Sequence, residues 1–298
     1  MEFKQLQSFV EVANYQSFTK AAEKLFLSQP TISAHIGQLE EELGKRLILR
    51  TTKSIELTPK GKEIYDYATR ILGLRDRMIE TCAVQPKKII HIGASTIPSA
   101  YILPELLPEF GLLSPDTYFS IHQNDSQGIV NGLKEGLFDI GMIGMQLEDE
   151  QIEYVPFCQD HMVLITPVND HFLELKHSDS FSIKEMLKEP VIMREAGSGS
   201  KKTADLFLER IGISDSDINI VARINDQEAI KNMVANGLGI SIISEMAARN
   251  FLAEKRILGF PLDTDYSGRK IYLIRRKDYI LSPYVQTFFK FVQKKYAK

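Results

Sequence analysis

A short polar break followed by an amphipathic helix lies near the start of this chain and limits how its first part can fold. Residues 25–44, LFLSQPTISAHIGQLEEELG, place apolar side chains four, three and four positions apart after a break at 28–30. These apolar residues are Ile32, Ile36, Leu39 and Leu43. The spacing predicts a helix, with Ser28 as its N-cap and Pro30 in the first turn, where a missing N–H costs nothing. The side chains at its start form hydrogen bonds but bring little charge: Gln29, Thr31, Ser33 and His35.

Two shorter helices precede this one and complete a helix-turn-helix. Apolar spacing from Leu6 to Ala13 predicts the first helix, and Ser17 caps a second, whose Ala21 and Ala22 let another helix approach closely. In a helix-turn-helix, the first residues of the last helix reach base edges in the major groove. Amide and hydroxyl groups distinguish bases by hydrogen bonding, which charge alone does not. A plain three-helix packing unit with a solvated face is the alternative that this pattern leaves open.

A β-hairpin with basic residues is predicted next to these helices. In residues 47–61, LILRTTKSIELTPKG, a turn at 51–54 separates two short strands. The basic residues of 45–62 are Lys45, Arg46, Arg50, Lys53, Lys60 and Lys62, against one acidic residue, Glu56. The whole chain carries a net charge of −3, but this local excess suits phosphate and minor-groove contacts.

A long helix with a broad apolar face follows the hairpin. Thr58 caps it, Pro59 takes its first position, and it runs to about Cys82. Its apolar residues are Ile64, Tyr67, Ala68, Ile71, Leu72, Leu74, Met78 and Ile79. The small domain before it cannot cover so wide a face, so a two-fold partner helix is the natural cover. Core packing against a second domain is the alternative.

The stretch from Phe9 to Gly61 resembles the winged helix-turn-helix of LysR-type transcriptional regulators nearly end to end. The residues that carry the resemblance are Ser17-Phe18, Ala21-Ala22, Leu25, the run SQPTIS at 28–33, Leu39-Glu40, Leu43-Gly44, Leu47, Arg50 and the run LTPKG at 57–61. One departure is Ile48, where the family usually has Phe, which is a core exchange. The resemblance implies that the 59–82 helix forms a homodimer and that dimers pair into homotetramers on double-stranded promoter DNA.

The resemblance also implies which residues meet DNA. Bases should face the start of the third helix, and the hairpin tip should meet the backbone or the minor groove. The expected DNA-contacting residues are Ser28, Gln29, Pro30, Thr31, Ser33, His35, Arg50, Thr52 and Lys53. For His35, a merely solvated side chain is the alternative.

From Ile89 onward the chain alternates strand-like and helix-like segments, which is typical of α/β architecture. The resemblance implies a two-lobed effector domain of the periplasmic-binding-protein (type 2) kind, with a cleft between the lobes. The expected division is 1–58 for the winged helix-turn-helix, 59–88 for the linker helix and hinge, 89–161 for the first segment of lobe I, 162–265 for lobe II and 266–298 for the return segment of lobe I.

Three strand-to-helix junctions in this second part suit an anionic ligand. A helix N-terminus offers unpaired N–H groups, glycines admit a ligand to the backbone, and hydroxyls add donors. The predicted effector-binding residues are Ser95, Thr96, Ser99, Gly197, Ser198, Gly199, Ser200 and Asn225. Because ligands of open α/β folds lie at the carboxyl ends of strands, we expect a clamp for a carboxylate or an oxyanion such as sulfate. Ordinary N-capping is the alternative.

Several other functions find no support in the sequence. Ser200 stands where a phosphate-binding P-loop needs Gly, the six histidines form no metal-binding spacing, and no G-x-S-x-G motif occurs. We therefore expect no catalysis, no metal and no cofactor. No apolar run reaches the ~20 residues of a membrane span and no secretory signal is visible, so the expected location is the cytoplasm, without membrane contact. An α/β solute-binding or transferase-like protein with an unrelated helical cap is the alternative to a DNA-binding regulator.

The expected mechanism is a population shift. A small anionic effector that closes the cleft would change the spacing of the DNA-binding heads, and DNA bending and contact with RNA polymerase would follow. The loop 195–200, EAGSGS, looks like that of family members tied to sulfur assimilation or selenium metabolism. This likeness is a hint toward a sulfur-containing or oxyanion ligand.

Overall fold

The computed structural model describes residues 1–50, 55–82, 88–178, 181–195, 199–262 and 268–296. The chain divides into two compact units, Met1–Lys87 and Lys88–Lys298. The elements of the first unit are helices α1 (Phe3–Tyr15), α2 (Phe18–Leu25) and α3 (Gln29–Leu43), strands β1 (Ile48–Arg50) and β2 (Ile55–Leu57), and helix α4 (Pro59–Thr81).

Local capping sets the boundaries of the first three helices. The Ser17 hydroxyl accepts a hydrogen bond from the backbone N–H of Lys20, and Ser28 does the same for Thr31. Helix α3 ends at Gly44, whose φ of 63° is easy only for glycine. The apolar faces of α1, α2 and α3 then bury against each other. The fully buried members of this core include Phe9, Val12, Ala21, Ile32, Ile36 and Leu39.

The hairpin is tied to the helices through one carboxylate and one hydroxyl. Strands β1 and β2 pair antiparallel, and Glu40 on α3 accepts hydrogen bonds from the backbone N–H groups of Leu47 and Ile48. The Thr58 hydroxyl caps α4 by accepting from Gly61 N–H at 2.8 Å. Ile48 is buried, as expected of a core exchange. The predicted turn at 51–54 lies outside the described residues.

Gly61 is required by close backbone approach, and this generates a test. A Cβ at this position would overlap the carbonyl oxygen of Leu47, whereas a Cβ at Gly37 on α3 would meet no atom within 4 Å. We expect Gly61→Ala to destabilise the first unit by about 1–3 kcal/mol through overpacking. The control Gly37→Ala should stabilise it by about 0.5–1 kcal/mol, since alanine favours helix. Hydrogen–deuterium exchange of α1–α3 amides measures both, and equal protection in the two variants would contradict the argument.

The second unit alternates strands and helices. Its strands are β3 (Lys88–Ala94), β4 (Thr117–Gln123), β5 (Ile140–Ile143), β6 (Ile152–Thr166), β7 (Val191–Arg194), β8 (Ile220–Ile224), β9 (Ser241–Ser244), β10 (Leu258–Pro261) and β11 (Gly268–Arg276). Its helices are α5 (Leu103–Leu113), preceded by a π-helical turn (Pro98–Ile102), α6 (Ser126–Lys134), α7 (Asp170–His177), α8 (Ile183–Met186), α9 (Gly199–Arg210), α10 (Gln227–Ala235), α11 (Glu245–Ala253) and α12 (Pro283–Tyr296).

One long strand, β6, is shared by two groups of strands. Up to His161 it pairs with β11, and from Met162 onward it pairs with β9 and β10. Strand β3 lies parallel between β4 and β5, and β5 pairs with β11. Strand β7 pairs with β8 and meets Ile240, just before β9, in a single bridge. Separate apolar cores lie beneath the two groups of strands.

The expected α/β architecture with two lobes is confirmed. The first lobe contains β3, β4, β5, β11 and the first part of β6, and the second lobe contains the end of β6 with β7–β10. The predicted return to lobe I at residue 266 falls outside the described residues. Among the described helices, none is both long and apolar enough to cross a bilayer.

Candidate functional site

The start of α3 presents polar side chains at the surface of the first unit. Ser28, Gln29 and Pro30 are exposed, and Thr31 and Ser33 are half-buried. Two contacts order this edge: the Gln29 amide donates to the Ser33 hydroxyl at 3.1 Å, and the Ser28 and Thr31 hydroxyls lie 2.8 Å apart. Each contact uses only part of the hydrogen-bonding capacity of these groups, since an amide has two N–H donors and a carbonyl oxygen. The edge can therefore make further hydrogen bonds outward.

The other predicted DNA-contacting residues are His35, which makes a contact inside the unit, and the three hairpin residues. His35 is half-buried, and its Nδ1 atom lies 2.7 Å from the hydroxyl of Ser8, a fully buried residue of α1. One ring nitrogen of His35 is thus engaged inside the unit. The backbone of Arg50 closes β1, whereas Thr52 and Lys53 lie outside the described residues.

A cavity of about 370 Å³ in the second unit gathers most of the predicted effector residues. Its described lining includes five of them: Ser95, Thr96, Gly199, Ser200 and Asn225. Ser99 is absent from this lining, and its backbone N–H donates to the carbonyl oxygen of Ser95 in the turn. Gly197 and Ser198 lie outside the described residues. The lining comes from the ends of strands in both lobes, as the sheet topology requires.

Arg194 is the most unusual residue of this cavity. It ends β7 and is only 7% exposed, yet its Nε and Nη1 atoms have no hydrogen-bond partner within the described parts of the chain. Burial lowers the pKa of the Arg194 guanidinium, the nearby Asp226 carboxylate opposes that change, and the positive charge of Arg269 adds to it. Because an arginine stays protonated even so, the cavity holds a buried positive charge with unused donors.

Arg269 lines the same cavity but is already paired. Its Nε and Nη2 atoms donate to one oxygen of Asp160 at 3.0 and 2.8 Å, and the other oxygen accepts from the Ser244 hydroxyl at 2.8 Å. All three residues are nearly or fully buried. A Cβ at Gly144 or Gly199 would lie 3.2 or 3.4 Å from Arg269 Nη1, so two glycines make room for this guanidinium.

Neutral and acidic polar groups lie in or next to the lining. Gln227 is not itself in the described lining, but its amide nitrogen donates to the hydroxyl of the lining residue Ser200 at 3.2 Å, and its buried Oε1 has no partner among the described residues. Asp125 and Glu195 also reach the cavity from exposed positions. Solvent screens the exposed carboxylates, and among the described lining residues Arg194 is the buried cation whose Nε and Nη1 atoms have no hydrogen-bonded partner.

The sequence did not mark Arg194 or Arg269 as effector residues. Arg194 carries a usable signal, because a charged residue ends the apolar strand VIMR at one of the predicted junctions. Arg269 carries none, since its partner Asp160 is 109 positions away in the chain. Lys201, which follows the glycine-serine loop, forms an ion pair with Asp205 and is absent from the described lining.

Two family models together match almost the whole chain. Residues 3–62 match the bacterial regulatory helix-turn-helix protein of the lysR family, and residues 83–297 match the LysR substrate binding domain. An uncharacterized HTH-type transcriptional regulator of Methanocaldococcus jannaschii is 34% identical over 97% of both chains. The HTH-type transcriptional activator CmpR of Synechocystis sp. is 32% identical over 95% of this chain and 92% of its own.

Solved structures of similar fold span the same length. CbnR, a LysR family transcriptional regulator, covers 100% of both chains with a TM-score of 0.76 at 22% identity. CbnR complexed with its target DNA has a TM-score of 0.75 at 24% identity, with 99% of each chain covered. The CcmR regulatory domain of Synechocystis PCC6803, in complex with 2-PG, covers 70% of this chain and 98% of its own with a TM-score of 0.62 at 24% identity.

These matches agree with the exposed polar edge of α3, the hairpin beside it and the two-lobed second unit. They are matches to transcriptional regulators and not to enzymes. The chain belongs to the LysR family of DNA-binding transcriptional regulators.

Proposed function

We propose that this regulator responds to a small anionic effector bound in the cavity around Arg194. The observation that carries the proposal is the buried guanidinium of Arg194, whose Nε and Nη1 atoms have no partner among the described residues. An uncompensated buried charge costs several kcal/mol, and an anionic ligand removes that cost by supplying both charge and acceptor oxygens.

Backbone and side-chain groups around Arg194 support the same ligand chemistry. Helices α9 and α10 begin at Gly199 and Gln227, beside the cavity, and their first N–H groups favour a negative charge. The hydroxyls of Ser95 and Ser200 and the Nη1 group of Arg269 add donors. A carboxylate or a compact oxyanion matches this donor set. We propose as effector residues the set Ser95, Thr96, Ser99, Gly197, Ser198, Gly199, Ser200 and Asn225, with Arg194 added.

Replacement of Arg194 tests the anionic effector. We expect Arg194→Met to raise the free energy of unfolding of the ligand-free protein by up to about 3 kcal/mol, because an apolar side chain of similar length replaces an unpaired buried charge. The same change should abolish any rise in melting temperature caused by sulfate, by 2-PG or by shikimate, with which the effector binding domain of the structurally similar QuiR is in complex. Such a rise is expected because a bound ligand stabilises by mass action. Thermal unfolding of the full chain measures both effects.

Arg223→Met is the matched control, because Arg223 is exposed, pairs with Asp215 and lies outside the cavity lining. It should keep the ligand-induced shift. An Arg194→Met protein that keeps a wild-type shift with an anion that stabilises the wild type would contradict the proposal.

We propose further that Ser28, Gln29, Pro30, Thr31, Ser33 and His35 contact bases, and that Arg50, Thr52 and Lys53 contact the DNA backbone or minor groove. The outward hydrogen-bonding capacity of the α3 edge supports the first group. The engaged Nδ1 of His35 leaves Nε2 as the ring nitrogen for such a contact.

Gln29 gives the sharpest test of base reading. We expect Gln29→Ala to reduce discrimination between a specific promoter fragment and unrelated DNA by about 1–3 kcal/mol, while non-specific binding and its salt dependence stay unchanged. Fluorescence anisotropy at several salt concentrations measures this difference. Glu23→Gln, an exposed change on α2, is the control. Equal loss on both DNAs would place Gln29 among phosphate contacts instead.

We propose that α4 forms a homodimer and that dimers pair into tetramers. Within the first unit, α4 buries Ala68, but Tyr67, Leu74 and Met78 on one face of the helix are 54%, 42% and 62% exposed. Exposed apolar residues at this helical spacing support a partner helix. Contact of the assembly with RNA polymerase stays a prediction.

A charge on this face should prevent association. We expect Leu74→Glu to shift the protein to monomers, because a carboxylate would lose its water in an apolar interface. Sedimentation velocity measures the assembly. Thr69→Glu, exposed on the opposite side of α4, should leave the assembly unchanged. Wild-type association in Leu74→Glu would rule out this face.

The remaining expectations stand as parts of the proposal. We propose the division into 1–58, 59–88, 89–161, 162–265 and 266–298, in which 59–88 is the linker helix and hinge. Effector binding would change the angle between the lobes and so the spacing of the DNA-binding units. A cytoplasmic site of action is supported by the DNA-binding family of the chain. The link to sulfur or selenium metabolism rests on loop 195–200, part of which lies outside the described residues.

A further inference from the structure

A second, larger cavity lies in lobe II and shares no described lining residue with the cavity around Arg194. Its volume is about 710 Å³. It lies between the end of β6, helices α7 and α11, and strand β10. The apolar residues of its lining are Met162, Val163, Val168, Leu173, Leu252, Ile257, Leu258, Pro261 and Leu262. A cavity of this size with mostly apolar walls is typical of small-molecule sites.

One position on the wall of this cavity has no side chain. Strand β10 carries Gly259 on the cavity wall, and a Cβ there would lie 2.9 Å from Leu252 Cδ2 and 3.4 Å from Val163 Cγ2. Any larger side chain at 259 would therefore require Leu252, another lining residue, to move.

The polar groups around this cavity are mainly cationic. Lys176 and Lys255 are exposed, and their ammonium groups have no hydrogen bond or ion pair among the described residues. Lys255 adopts a left-handed backbone, with φ of 56°. The Nδ1 atom of His161 is enclosed and has no partner in the described part of the protein. Glu245 is the one acidic side chain of the described lining.

We propose that this cavity binds an amphipathic carboxylic acid with an apolar body of about eight carbons, a size that suits such a pocket. The apolar body lies against Leu173, Leu252 and Leu258. The carboxylate lies at the rim, where two lysines without partners supply opposite charge. A neutral ligand of the same shape lacks that attraction, and an organic cation is opposed by it.

Calorimetric titration of the full-length protein tests the proposal. We expect octanoate to bind with one site per chain, octanamide to bind about fivefold more weakly because exposed ion pairs contribute modestly, and acetate not to bind. Leu173→Trp fills the cavity and should weaken octanoate binding at least about tenfold. Leu206→Trp, at a 51% exposed position on α9, is the matched control and should bind normally.

The charge contribution has its own pair of variants. Lys176→Gln combined with Lys255→Asn should lower octanoate affinity to that of octanamide, and Asn tolerates the left-handed backbone at 255. The control combines Lys184→Gln with Lys188→Gln, two exposed positions on or beside α8. This control should keep the wild-type affinity for octanoate. Circular dichroism confirms that each variant is folded.

Two outcomes would overturn the proposal. In the first, octanoate does not bind the wild-type protein. In the second, Leu173→Trp binds octanoate normally while Arg194→Met does not, which would place the acid in the cleft. Loss of sulfate, 2-PG or shikimate binding bears only on the cleft, so the two sites are tested separately.

Discussion

A buried ion pair holds the strand shared by the two lobes, β6, to its neighbour β11 in the first lobe. Asp160 on β6 and Arg269 on β11 are cross-strand neighbours, and both are almost completely buried. Ser244, at the end of β9, donates to the same carboxylate. Removal of one member of such a pair leaves a charge in the interior, at a cost of about 3–5 kcal/mol. The Asp160 carboxylate on β6 therefore joins Arg269 of the first lobe to Ser244 of the second, beside the cavity that Arg269 lines.

Two arginines line the cavity around Arg194, and they differ in whether a carboxylate is hydrogen-bonded to the guanidinium. Arg269 has its carboxylate inside the protein, so its charge is balanced before any ligand arrives. The Nε and Nη1 atoms of Arg194 have no hydrogen-bond partner among the described residues, and the proximity of Arg269 lowers its pKa. One arginine is therefore structural, and the other is available to a ligand. Residue type alone does not separate these roles; the presence or absence of a buried partner does.

Local interactions explain which parts of this structure the sequence predicts. Ser17, Ser28 and Thr58 each accept a hydrogen bond from a backbone N–H three residues later, so helix starts can be read from a few neighbouring letters. The same holds for Gly44, which ends α3 through its backbone conformation alone. Alternating strand and helix patterns likewise gave the α/β architecture, and the resemblance gave the correct family.

Non-local interactions explain what was missed. The first half of β6 contains Pro156 and polar residues, and it is a strand because β11 pairs with it across more than a hundred residues. Strand β10 is only LGFP, which carries no strand pattern of its own. The same distance in sequence hid the Asp160–Arg269 pair and the contact of Gln227 with Ser200. Side chains in the cleft meet only after the lobes have formed.

Burial would distinguish the two anionic ligands proposed for this chain, DNA and a small effector. DNA is a polyanion whose bases must be read at an exposed surface, and the start of α3 offers neutral donors and acceptors there. A small anion binds weakly at such a surface, because water competes with each hydrogen bond and salt screens each charge. In a cavity of about 370 Å³, Arg194 is shielded from water, and a duplex cannot enter. Under the proposed function, the bases would therefore be read by exposed neutral groups of α3, and the small anion would be bound by the buried charge of Arg194.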